Sequence, residues 1–149
     1  MTQWATIPGL PATTGHVYLM GYNYDSSGFS VWCSSKAKEE GGCVGYRLRF
    51  HEVALFMIEI EPIDCLEIEH PAGAAAPQYT DKSELLDRVR SNLVTIFGGS
   101  SQPSSARFHI HVQAREYRMQ IVCDRLPDVI VNDFPKLPLF PQFVSERAS

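Results

Sequence analysis

A chain of 149 residues with 44% apolar and 20% charged side chains has the make-up of one folded domain with its own core, not of a disordered or fibrous chain. At that length roughly 68–70% of the unfolded surface is buried on folding, so no disulfide or metal staple is required. A formal net charge of -4 disfavours indiscriminate binding to phosphate backbones or anionic membranes, and no apolar run nears the ~20 residues that span a bilayer.

Residues 1–15 read as an extended lead-in that Trp4, Ile7 and Leu10 could pin to a core. Its first eight residues carry neither the basic nor the apolar region of a signal peptide. Val17 to Met20 reads as a strand. Asn23 to Gly28 has turn residues, and Phe29, Val31 and Cys33 alternate with Ser30, Trp32 and Ser34 in a second strand, making a hairpin. After a polar loop from Lys36 to Gly42, Tyr46, Leu48 and Phe50 alternate with Arg47, Arg49 and His51. A kink or tight turn near Glu52 leads into the apolar run from Val53 to Ile60. Leu66 to Glu69 reads as a short strand, and Pro71 to Pro77 as a loop.

One helix is expected next. Asp81 is the expected N-cap, with Glu84 three residues on, and Leu85, Leu86, Val89, Leu93, Ile96 and Phe97 form its apolar stripe. Gly98-Gly99 closes it. Phe108 to Val112 and Tyr117 to Cys123 then form a second hairpin, Val129 to Val131 adds an edge strand, and a proline-rich tail follows over 134–149. The sum is a single α+β domain over 1–149: a mainly antiparallel sheet of about six short strands with one amphipathic helix on one face. In this reading the helix covers Phe108, Ile110 and Val112, and the opposite, wet face shows Arg47, Arg49, His109, His111 and Arg118.

His109 and His111 are the first place to look for chemistry. Residues i and i+2 of a strand lie about 6.6–6.8 Å apart and can converge on one ion. His51, His70, Glu67 and Glu69 could supply a third ligand if the strand order allowed it, but no HExxH or CxxC pattern does so. The plainer alternative is the polar outside of a half-solvated sheet. No Gly-x-Ser-x-Gly occurs. The glycine-rich Gly41 to Gly45 lacks the Lys-Ser/Thr of a phosphate loop and precedes a strand. Cys43, with Lys36, Lys38 and Arg47 nearby in sequence, has no patterned histidine partner. The aromatics of Tyr46 to Phe50 share the inward face, whereas RNA platforms need them outward. Catalytic residues and cofactors are therefore expected to be none. The four cysteines are widely spaced, which suits free thiols in a cytoplasmic protein.

Charge is unevenly spread. Phe50 to Asp81 contains no Lys or Arg but holds Glu52, Glu59, Glu61, Asp64, Glu67, Glu69 and Asp81, whereas Lys82 to Arg125 has seven bases against four acids. The acidic stretch either steers a basic partner or simply pairs across strands with Arg47, Arg49 or Arg118. Trp32, out of phase with Phe29, Val31 and Cys33, is the leading candidate for an exposed anchor, followed by Tyr22 and Tyr24.

The layout of Phe29 to Cys33, then Arg47 to Val53 leading into Leu55 to Ile58, with the hairpin of Phe108 to Val112 and Tyr117 to Cys123, resembles the immunity proteins that bacteria pair with polymorphic toxins. The likeness covers most of the chain in shape, without a diagnostic motif. It implies a non-enzymatic, cytoplasmic inhibitor, monomeric or homodimeric, that neutralises a basic protein partner and binds neither nucleic acid nor membrane. The expected contact residues are Trp32, Tyr22, Tyr24, Glu59, Glu61, Asp64, Glu67 and Glu69. The rival reading is a metal-dependent or small-ligand protein built on the His109/His111 face.

Overall fold

The computed structural model describes residues 2–26, 28–38, 42–60, 68–71, 75–96 and 106–135, with side chains of 93–96 not described. In chain order the elements are β1 (Ala5–Thr6), β2 (Thr13–Asp25), β3 (Gly28–Ala37), β4 (Cys43–Phe50), β5 (Val53–Ile60), β6 (Gln78–Thr80), α1 (Glu84–Ile96), β7 (Phe108–Gln113), β8 (Tyr117–Cys123) and β9 (Asp128–Val131).

The strands form two sheets rather than one, ordered β1-β6-β7-β8-β5 and β2-β3-β4-β9. All named strand pairs are antiparallel. The reason lies in the alternation. Val31, Cys33, Tyr46, Leu48 and Phe50 give the second sheet one apolar face, and Ile110, Val112, Met119 and Ile121 give the first sheet another. These residues meet in one buried cluster between the sheets. Each sheet therefore lids the other, and the helix does not cover Phe108, Ile110 and Val112 as the sequence suggested. It lies on the far side of the first sheet, where Leu85 and Leu86 pack with Val122 and Ala106.

Two local features make this arrangement possible. His51 and Glu52 separate β4 from β5, and the chain changes sheets there; the expected kink is a crossover. Gly28 opens β3 at φ 127°, and a Cβ placed on it would lie 2.6 Å from the Phe50 carbonyl oxygen. Only glycine fits that approach.

The helix begins two residues later than an Asp81 cap implies. Ser83 is the N-cap: its Oγ accepts from the Leu85 N–H at 3.1 Å, and its carbonyl accepts from the Asp87 N–H at 3.2 Å. The hairpin β7–β8 and the edge strand β9 lie where the alternation put them, whereas β1 and β6 escaped the sequence reading. Ile68 and Glu69 are not in a strand. The helix-ending glycines, Cys65 and the tail beyond Pro135 lie outside the described residues. No helix among the described residues is long and apolar enough to cross a membrane.

Candidate functional site

Two regions hold the residues that could act. The first is the outer face of the first sheet. There β7 alternates as expected, with Ile110 and Val112 in the inter-sheet core and His109 and His111 on the opposite side. That side is not wet: both histidines are fully buried. Trp4, entering through β1, lies over both rings at centroid distances of 5.1 and 5.9 Å. His70 lies 5.0 Å from His111, and the first turn of α1 brings Ser83 against His109.

A chain of polar contacts runs through this cluster. Arg118 Nη1 stands 3.0 Å from His70 Nε2, His70 Nδ1 is 3.1 Å from the Gln120 amide, the Gln120 amide is 2.5 Å from His109 Nε2, and His109 Nδ1 is 2.5 Å from Ser83 Oγ. Gln120 presents its Oε1 to His109 Nε2 and its amide nitrogen to His70 Nδ1. His109 therefore carries its proton on Nε2, donating to the Gln120 carbonyl, and accepts at Nδ1 from the Ser83 hydroxyl.

Serine donating to histidine has the composition of a nucleophile and its base. Here the pair is sealed from solvent: Ser83 is 4% exposed, His109 is fully buried, and the Ser83 oxygen is occupied as a helix cap. The pair fastens the helix to the sheet.

Burial pushes the His109 imidazole down to about 4, opposed by its bond to Gln120 and reinforced by His70. Burial pushes His111 further, to about 3, with His70, His109 and Arg118 adding repulsion. Both rings are neutral at physiological pH. Among the described residues, neither His111 nitrogen has a hydrogen-bond partner, and nor does the buried Trp4 Nε1. Among the described residues, no group of three or more His, Cys, Asp or Glu side chains is placed to hold a metal ion.

The second region is the end of the sandwich where the β2–β3 hairpin tip meets the β4–β5 crossover. Tyr24 is 75% exposed. Beneath it the rings of Phe29 and Phe56 lie 4.8 Å apart, and Tyr22 stacks on Phe29 at 6.2 Å and leans on Phe56 at 5.0 Å. A groove of about 520 Å³ passes between Tyr24, Asp25 and Phe29 on one bank and His51, Glu52 and Val53 on the other. Glu52 is exposed, whereas His51 is held by Asp128 at 2.8 Å. A smaller groove of about 260 Å³, lined by Tyr22, Ala54 and Phe56 among others, adjoins the same aromatics. Of the groove's two carboxylates, Asp25 accepts from the Asn23 amide at 3.2 Å.

The remaining sequence candidates fall elsewhere. Trp32 is not displayed: it is 8% exposed, because β3–β4 register sets it opposite Arg47, whose guanidinium covers its ring at 5.7 Å. Asp133 holds Arg47 in place at 3.1 Å. The outward basic residues are split between the sandwich's two outer sides, Arg47 and Arg49 on one sheet and Arg118 on the other. Glu59 sits directly across from Arg118 and pairs with it at 3.8 Å, which is the cross-strand reading of the acidic stretch. Glu69 accepts from the Thr2 hydroxyl. Glu61, Asp64 and Glu67 lie outside the described residues. Burial pushes the thiols of Cys33 and Cys123 up to about 12, which leaves both inert.

The sequence reading missed the cluster's other members, Ser83, Gln120 and the closing role of His70. Gln120 alone gave a signal: a polar residue between Met119 and Ile121 on the same strand phase as Arg118. Compared with protein-family models, curated proteins and solved structures, the chain finds no match in any of the three.

Proposed function

We propose that this protein is a non-enzymatic binding domain, an inhibitor of the immunity-protein kind, that works in the cytoplasm on a protein partner with a basic surface. One observation carries the reading: the most exposed aromatic side chain among the described residues, Tyr24, stands on a packed aromatic base beside the carboxylates of Asp25 and Glu52. Large aromatic anchors next to charge are what binding hot spots consist of, and acidic neighbours favour fast encounter with basic partners. The contact surface in this reading is the Tyr22/Tyr24 end. Trp32 and Glu59 drop out of it, since each is occupied within the fold.

The test is cross-linked capture from cells of the source organism, comparing the wild-type chain with Tyr24→Ala and Glu52→Arg. A partner retained by the wild type and lost by both variants supports the proposal. Equal capture by all three overturns it.

A second reading, a small-ligand or metal protein on the histidine face, is favoured by the two unpartnered nitrogens of His111. Elemental analysis of protein purified without a histidine tag addresses it. A stoichiometric metal, removed by chelator and absent in His111→Leu, would replace the first reading.

A further inference from the structure

We infer that residues 2–6 are a latch over the histidine cluster, hinged at Ile7, which mild acid opens while the two sheets stay folded. The latch is lightly held. β1 has only two residues and pairs with β6 alone, through Ala5 with Tyr79 and Thr6 with Gln78. Gln3, Ala5 and Thr6 are exposed, so Trp4 is its one large contact with the body. Thr2 fastens its start to Glu69 and to the Lys82 carbonyl. Ile7, 1% exposed, anchors its end in the inter-sheet core, and Gly9 at φ 89° follows.

What lies under the latch is poorly suited to charge. The groups facing His111 are His70 from the 68–71 segment, His109 from its own strand and Arg118 from β8. Among the described residues, the acid of that neighbourhood is Glu59 on β5, which pairs with Arg118. α1 contributes the hydroxyl of Ser83 and no charge, and the latch contributes an indole. Among the described residues, a proton on His111 therefore finds a cation beside it and no counter-ion. Lifting Trp4 lets water solvate the new charge, which is the cheapest relief the geometry offers.

The direction follows from linkage. In the closed form His109 and His111 titrate near 4 and 3, below the 6.5 of a free imidazole, so the open form binds more protons between those values. Closure is complete above pH 6.5 and weakens below it. Well below pH 6.5 each histidine favours opening by about tenfold per pH unit and the pair by about a hundredfold. Between pH 6.5 and 4.5 this comes to about 10³-fold, because the slope is only half developed at the upper end.

The chain's two tryptophans make the test. Both indole N–H groups are buried without a partner, but only Trp4 belongs to the latch. Indole proton exchange is followed by ¹⁵N NMR, with the intrinsic pH dependence removed. Exchange at Trp4 should accelerate steeply from pH 6.5 to 4.5 while that at Trp32 holds, and His111→Leu should reduce the slope to about tenfold per unit. His111→Gln, polar but untitratable, carries the same expectation should the leucine variant fold poorly. A protected Trp4 at pH 4.5, tryptophans that lose protection together, or a slope unchanged in the His111 variant would each overturn the latch.

Discussion

The two regions that could act differ in an instructive way. The outer face of the first sheet gathers His70, His109, His111, Gln120 and Arg118, the richest chemistry among the described residues, and closes it under Trp4 and Ser83. The end around Tyr24 has little chemistry, two carboxylates and some rings, and leaves it open to solvent. Catalytic-looking residue types are therefore no guide to access. In the first region Arg118, His70, Gln120, His109 and Ser83 contact one another and fix the helix to the sheet, while His111 stays outside that chain. In the second, exposed aromatic surface has no such internal use.

If that contrast holds, acid should strike the histidine face hardest. The folded pKa values of His109 and His111, about 4 and about 3, lie below the unfolded value near 6.5. The unfolded chain then binds more protons as pH falls through this window, so stability is fully present above pH 6.5 and is lost toward pH 4 and 3. At pH 4.5 the two histidines together disfavour the closed form by on the order of 5 kcal/mol. Urea midpoints measured from pH 7 to 4.5 should fall only by the cost of opening the latch, and then level off while the two sheets remain folded.

Next in size is the loss of a satisfied partner. His109→Leu strands the Gln120 amide in a buried site and removes a bond from Ser83, at a cost of about 2–3 kcal/mol. Denaturant unfolding should show a lower midpoint with an unchanged slope. His111→Leu is the sharpening control. It replaces an imidazole whose nitrogens are both unpartnered, so it should be neutral or stabilise by up to about 1 kcal/mol at pH 7. Equal damage from the two substitutions would break the distinction drawn between these neighbours. At the open end, Tyr24→Ala should move stability by no more than about 0.5 kcal/mol, the ordinary range for surface substitutions.

How much of this was legible in the sequence varies by element. The β7–β8 hairpin was read correctly because Phe108, Ile110 and Val112 alternate with His109 and His111 without interruption. The same alternation could not say what covers each face, since one strand looks alike under a helix or a second sheet. The apolar phase of β3 and β4 was visible too, yet the crossover at His51 and Glu52 decides that these strands face β7 and β8 instead of joining them. β1 and β6 were missed because two or three residues are too few to carry a period.

The site residues divide along the same line. Tyr22 and Tyr24, expected in a turn, lie on β2 opposite Val31 and Phe29, since the strand runs on to Asp25. Trp32 was misjudged because its phase is correctly outward, while its covering by Arg47 depends on a neighbouring strand. Burial of His109 and His111 was out of reach for a like reason: Trp4 and His70 arrive from far along the chain. The Glu59–Arg118 pair was foreseen as one alternative, and register selects it.

The claim that binding belongs to the open end and not to the histidine face comes down to one paired measurement. Partner capture is quantified for wild type, Tyr24→Ala and His111→Leu at pH 7, with each chain shown to be folded. The account predicts that Tyr24→Ala loses the partner by at least about tenfold, the 1.4 kcal/mol of a modest hot spot, while His111→Leu retains it. Capture that survives Tyr24→Ala and fails in His111→Leu would contradict the account and move the function to the buried histidines.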